Sequence, residues 1–224
     1  MLLLFGATYA QEPASQSTEK SDWLPSFTTI IVDGALDIKL VQVSADQAPK
    51  VVYDTKGAAD TKFRAEVKNK VLQIREKQLS ERTERTQVTL YYNQISGLTV
   101  TDASVEFADT LADKMLDISV NGSAKLKAQV ALQDLDLHIM GSSEVELSGE
   151  ARYLTLFVST AKFEGSNLQV MAASVTAQSN ASVQLHVTER LVVKSTTGAV
   201  VNYTGSPSLL RLSRKFLAGD ITAK

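Results

Sequence analysis

TDASVEF (101–107), NGSAKLKA (121–128), GSSEVELSG (141–149), STAKFEG (159–165), SNASVQLHV (179–187) and TTGAVVNY (196–203) say nearly the same thing six times, at intervals of about 19 residues. The shared apolar position is Val105, Leu126, Val145, Phe163, Val183 and Val200. A second alternation precedes each corner: Leu98/Val100, Leu116/Ile118/Val120, Leu135/Leu137/Ile139, Leu154/Leu156/Val158, Val175/Ala177 and Leu191/Val193. Each repeat therefore reads as strand, small polar corner, strand. Period two marks strands with one buried face, and no long run carries a helical apolar period. One rung cannot bury its apolar face alone. Rungs stacked about 4.8 Å apart turn each apolar position into a continuous ladder, which predicts a parallel β-helix. Gly122, Gly141, Asn180 and Gly198 suit the sharp corners this needs.

The residues just before the shared apolar position, Ser104, Lys125, Glu144, Lys162 and Ser182, point outward and alternate in sign, so neighbouring rungs pair. The next outward column, Glu106, Lys127, Glu146, Glu164 and Gln184, follows this rule less well. A one-residue slip would bury these charges.

Upstream, MLLLFGATYA (1–10) has the apolar run and small-residue end of a secretory signal peptide, though without a basic start. It is too short for a membrane-spanning helix. Residues 11–25 read as a flexible leader, and Trp23, the sole tryptophan, is expected to pack over the end of the domain. Residues 26–224 form one domain. Within it, FTTIIVDGALDIKLVQV (27–43) resembles the later repeats, and FRAEVKNKVLQIRE (63–76) reads as a hairpin turning at Asn69 and Lys70. REKQLSERTERT (75–86) mixes charges without an apolar stripe and reads as a solvated loop. Beyond Tyr203, Pro207 breaks the period and the chain closes in a cap.

With 23 Lys plus Arg against 25 Asp plus Glu, the 224-residue chain has a formal charge of -2 and no basic stripe for nucleic acid. No polybasic or amphipathic segment addresses a membrane surface. Cysteine is absent, which excludes thiolate chemistry and cysteine metal sites.

VNGSAKL (120–126), IMGSSEVELSG (139–149) and VVKSTTGAVVNYTGSP (192–207), the last with Tyr203, Gly205 and Pro207, resemble the adhesin family of the GIN domain, the auto-transporter adhesin head domain. FTTIIVDGALDIKLVQ (27–42) is similar to that family's first strand pair, and the resemblance extends over residues 27–221. It departs at STAK (159–162) and SNAS (179–182), where corners have lost glycine. The resemblance implies a right-handed parallel β-helix, an extracytoplasmic location in periplasm, outer surface or medium, and a binding role. It transfers no catalytic residues.

His138 and His186 fall on outward positions of different sheets, so no shared metal is expected, and no cofactor fingerprint appears. Stacking the strands that precede the corners puts Thr99, Asp117, Asp136, Thr155 and Thr176 in one outward column. Thr101, Ser119, His138, Phe157, Gln178 and Lys194 form the next. Asp117, Asp136, His138 and Phe157 thereby share one face. Stacked like charges cost stability unless something sits between them, and an outward Phe beside them is unusual. Carboxylates next to an aromatic platform suit a polysaccharide or another cell-surface component. The plainer reading is a polar face with an incidental Phe. A pair of carboxylates one rung apart also leaves a polysaccharide-cleaving enzyme open. A third reading is a structural module that self-associates through its open ends.

Overall fold

In a computed structural model, residues 19–56, 62–77, 84–215, 217 and 219–224 are described. The expected signal peptide lies outside them, as does the centre of the charged loop. The described residues form seventeen strands and no α-helix. In chain order these begin with β1 (Lys20–Trp23), β2 (Thr29–Asp33), β3 (Leu36–Gln42), β4 (Lys50–Asp54), β5 (Phe63–Lys68) and β6 (Val71–Glu76). Next come β7 (Thr86–Tyr92), β8 (Gly97–Thr101), β9 (Ser104–Phe107), β10 (Leu111–Asn121), β11 (Lys125–Met140) and β12 (Glu144–Ser159). The last are β13 (Lys162–Gln178), β14 (Ser182–Thr196), β15 (Val200–Thr204), β16 (Leu209–Lys215) and β17 (Ile221–Ala223).

The architecture is the expected all-β parallel β-helix. Its first sheet stacks β6, β2, β8, the C-terminal halves of β10 to β14, and β16, all parallel. The second stacks β7, β3, β9, the N-terminal halves of β11 to β14, β15 and β17. Between the corners the long strands bend and form a third side, where Leu111 lies beside Val130 and Val130 beside Gly149. The ladders of apolar side chains run through the interior: Leu98, Ile118, Leu137, Leu156 and Val175 from the first sheet, Val105, Leu126, Val145, Phe163 and Val183 from the second, each at most 2% exposed.

The rungs do not stack in chain order. The rung made by β2 and β3 lies between the rung of β6 and β7 and that of β8 and β9. After β3 the chain turns away at Val43 to build β4, so this rung has no third side of its own. The connector 93–96 runs past its start instead, with Ser96 N donating to Thr28 O at 2.8 Å and Asp117 N to Ser96 O at 3.0 Å. Antiparallel strands cover this end: β5 pairs with β6 through the expected hairpin, and β4 pairs with β7 and with β1. Asn69 and Lys70 have φ of 52° and 62°, the geometry of a two-residue turn that follows strand twist. Part of the expected leader is thus a strand, β1. At the other end β16 continues the first sheet beside β14.

Corner residues adopt the left-handed region with or without glycine. Thr160 has φ 60° and Asn180 61°, against 70° at Gly122 and 77° at Gly141. The loss of glycine from STAK and SNAS therefore changes the local strain and leaves the path of the chain unchanged. Behind each corner lies an inward small residue, Ala103, Ala124, Ser143, Ala161, Ala181 or Ala199, at most 5% exposed. That column corrects the last rung: Val183 aligns with Val201, fully buried, and Val200 continues the outward column beside Ser182. The charged loop also differs at its ends from a solvated segment. Glu76 and Thr86 are buried, and the Thr86 hydroxyl donates to Glu76 Oε1 at 2.7 Å.

Candidate functional site

The outer face of the first sheet carries the four residues singled out by sequence. Asp117 on β10 aligns with Asp136 on β11, and His138 on β11 with Phe157 on β12. Alternation forces Asp136 and His138, two apart on one strand, to the same face. Inward Leu135, Leu137, Leu156 and Val158 anchor these strands, so the outward side chains stand on a rigid base. All four are therefore brought together as expected.

The columns beyond them need correction. Gly97, not Thr99, lies in the column of Asp117, and Ser174, not Thr176, lies beside Thr155. Thr99 aligns with Ser119, and Thr176 sits next to Phe157. A two-residue slip keeps every side chain on its own face, so alternation alone does not detect it.

His138 Nε2 lies 3.2 Å from Asp136 Oδ1, with side chains 52% and 46% exposed. The contact is close but off the line of a hydrogen bond, and that oxygen is covered and has no hydrogen-bond partner. The His138 and Phe157 rings stack with centroids 5.6 Å apart and planes 28° apart. The imidazole thus bridges a carboxylate and an aromatic face. Sequence reading missed the apolar fringe of this patch: Met115 is 58% exposed, Met140 45% and Tyr153 40%. Met115 and Tyr153 both align with Asp134, which puts them on the same face. Their outward parity was visible beside inward Leu116, Ile139 and Leu154.

The outer face of the second sheet is different. Lys125 Nζ lies 3.6 Å from Glu144 and Lys127 Nζ 3.5 Å from Glu146, the expected cross-rung pairs. Those charges satisfy one another. His186 is apart from His138, on β14, with Nδ1 2.9 Å from the Thr204 hydroxyl. Among the described residues no group of three or more His, Asp or Glu could hold a metal ion.

Chemically, the first-sheet face offers carboxylate acceptors beside a stacked ring pair on a flat, rigid surface. Hydroxyl-rich ligands are recognised by such a combination of acceptors and aromatic faces.

The fold is similar to that of several solved structures. A crystal structure titled a putative adhesin, from Bacteroides fragilis NCTC 9343, matches with a TM-score of 0.83 and 20% identity over 95% of this chain and 99% of that one. A second so titled, from Parabacteroides distasonis ATCC 8503, matches with 0.74 and 18% identity over 92% and 96%. A structure from the same organism titled a putative lipid binding protein matches with 0.69 and 15% identity over 93% and 98%. No curated protein matches the chain. At these identities the likeness concerns the fold. The family is settled by a sequence model covering residues 26–207, and the chain belongs to the family described as "Putative auto-transporter adhesin, head GIN domain".

Proposed function

We propose that this chain is an extracytoplasmic, non-catalytic binding domain that recognises a polysaccharide or another cell-envelope component through the outer face of its first sheet. Asp117, Asp136, His138 and Phe157 form the contact, with Tyr153 and Met140 at its edge. The observation that carries this reading is the His138–Phe157 stack beside the Asp136 carboxylate, whose side chain stays 46% exposed. A ligand hydroxyl would donate to the exposed part of that carboxylate, and a sugar ring would extend the stack. The family's description as an adhesin supports a surface partner. Among the described residues no helix is long and apolar enough to cross a membrane.

The test is a glycan-array screen of the chain, with mass spectrometry of every bound glycan to detect cleavage. Phe157→Ala should weaken binding about tenfold, the worth of one aromatic contact, while leaving the melting temperature near that of the parent. Unchanged affinity for a glycan that binds the parent would retire the patch. Cleaved products would replace the binding reading by the enzymatic one.

A second reading, a self-associating structural module, is favoured by β16. Leu210 and Leu212 occupy the inward columns of Leu191 and Val193, yet are 43% and 41% exposed at the last strand of the first sheet. An apolar strand end of this kind invites a further strand.

A further inference from the structure

Trp23 does not pack over the domain end: it stands 71% exposed. Register places it opposite Lys50 on β4, and Lys50 opposite Tyr91 on β7. The three side chains make a row across the outer face of the second sheet at its covered end, and Lys50 Nζ lies 5.4 Å from the centre of the Trp23 ring. Val43, Gln47 and Ala48 complete a pocket of about 420 Å³, within the range of small-molecule sites.

The loop wall of this pocket is held in place before any ligand arrives. Asn93 Nδ2 donates to Ser44 O at 2.7 Å and to Gln47 O at 2.9 Å. Gln47 N donates to Ser44 O at 3.0 Å, Val43 N to Tyr92 O at 2.8 Å, and Leu24 N to Pro49 O at 2.9 Å. Such pinning removes the ordering cost that a mobile loop would charge to binding.

The lining combines two aromatic side chains, one amide and one cation. Among the described residues no carboxylate lines the pocket or forms an ion pair with Lys50. Asp46, the acid carried by the same loop, is engaged by the Ser44 side chain. An ammonium with three donors can keep its place over the indole and still accept an anion on its free side. We propose that this pocket binds an acidic sugar ring, a pyranose bearing a carboxylate, with its C–H face against Trp23 and its carboxylate on Lys50. Tyr91 closes the opposite side, and Gln47 offers its amide to ring hydroxyls. The pocket shares no residue with the Asp136–Phe157 patch, and the proposal stands without it.

Trp23 is the sole tryptophan, so intrinsic fluorescence of the full chain reports directly on the pocket. Two acidic probes, tetragalacturonate and sialyllactose, are titrated beside their neutral counterparts, galactotetraose and lactose. At least one acidic probe should shift the emission saturably and bind at least about tenfold more tightly than its counterpart. Lys50→Gln should remove that preference, with an unchanged circular dichroism spectrum showing that the fold is kept. No saturable shift with either acid, equal binding of acid and neutral sugar, or indifference to Lys50→Gln would each overturn the assignment.

Discussion

Replacing Val145 by aspartate and its neighbour Glu144 by serine separates inside from outside at adjacent positions. Val145 is 2% exposed between Leu126 and Phe163 in the interior ladder. Losing its apolar contact costs about 2 kcal/mol. The introduced carboxylate has no partner there, so at pH 7 it must be neutralised. Holding an acid of ordinary pKa about 3.9 protonated at pH 7 costs about 4 kcal/mol more. The sum is comparable to the whole stability of many domains, roughly 5–15 kcal/mol. Glu144 is 56% exposed and 3.6 Å from Lys125, a pair worth about 0.2–1 kcal/mol. Urea denaturation followed by circular dichroism gives both values. The aspartate variant also carries a signature in pH. Its folded-state pKa is raised, so the penalty exists above the unfolded pKa of about 3.9 and should mostly vanish near pH 4. Equal tolerance of the two substitutions, or a Val145→Asp cost independent of pH, would refute the register of the stack.

Three further expectations follow from backbone geometry and burial. Gly149 has φ +102° and a Cβ there would collide with the Val130 carbonyl oxygen of the rung before it, so Gly149→Ala should cost more than about 3 kcal/mol by urea denaturation. Thr160→Gly relieves a β-branched residue at φ 60° and should range from neutral to about 1 kcal/mol stabilising in the same assay. Burial, and then the Asp109 carboxylate, push the Tyr92 phenol far above its ordinary range. The stability of the neutral phenol is present below the unfolded pKa of about 10 and is lost as pH rises further towards the folded value, so Tyr92→Phe should reduce the slope of stability against pH above 10 by about one proton. Identical slopes for the two proteins would remove that account.

Alternation made the strands and their buried faces legible, because each side chain's face is fixed by parity alone. That is why Asp117, Asp136, His138 and Phe157 could be placed on one surface without coordinates. Parity is silent on two matters. It does not register a slip of two, which moved Thr99 and Thr176 one position pair along their strands. Nor does it choose between adjacent apolar residues: at Val200 and Val201 the decision came from Ala199 entering the corner column. The order of rungs is likewise a long-range property. The segment 29–42 has the local pattern of a rung, but nothing local says that it lies between 71–92 and 97–107. Trp23 departs from the expectation that a lone tryptophan near a domain end packs there: it is exposed. Its row with Lys50 and Tyr91 exists only once β1 and β4 fold back in antiparallel order.

The two outer faces differ in how their cross-rung neighbours pair. On the second sheet, Lys125, Lys127, Glu144 and Glu146 pair across rungs, and changing one member unbalances its neighbours. On the first sheet, cross-rung neighbours do not pair by opposite charge: Asp117 lies beside Asp136, and His138 beside Phe157. A carboxylate stacked on a carboxylate contributes nothing to the stack and opposes it. Exposed Met115, Met140 and Tyr153 add apolar area that the interior does not use. Residues that weaken the scaffold while remaining at its surface are the ones the proposed binding role accounts for, since the interior ladders carry the stability that offsets them. The same logic applies to Trp23, whose ring would contribute more to stability buried than exposed. On that reasoning, stabilising substitutions should be found at Asp117 and Trp23, and the stability gained should come with binding lost.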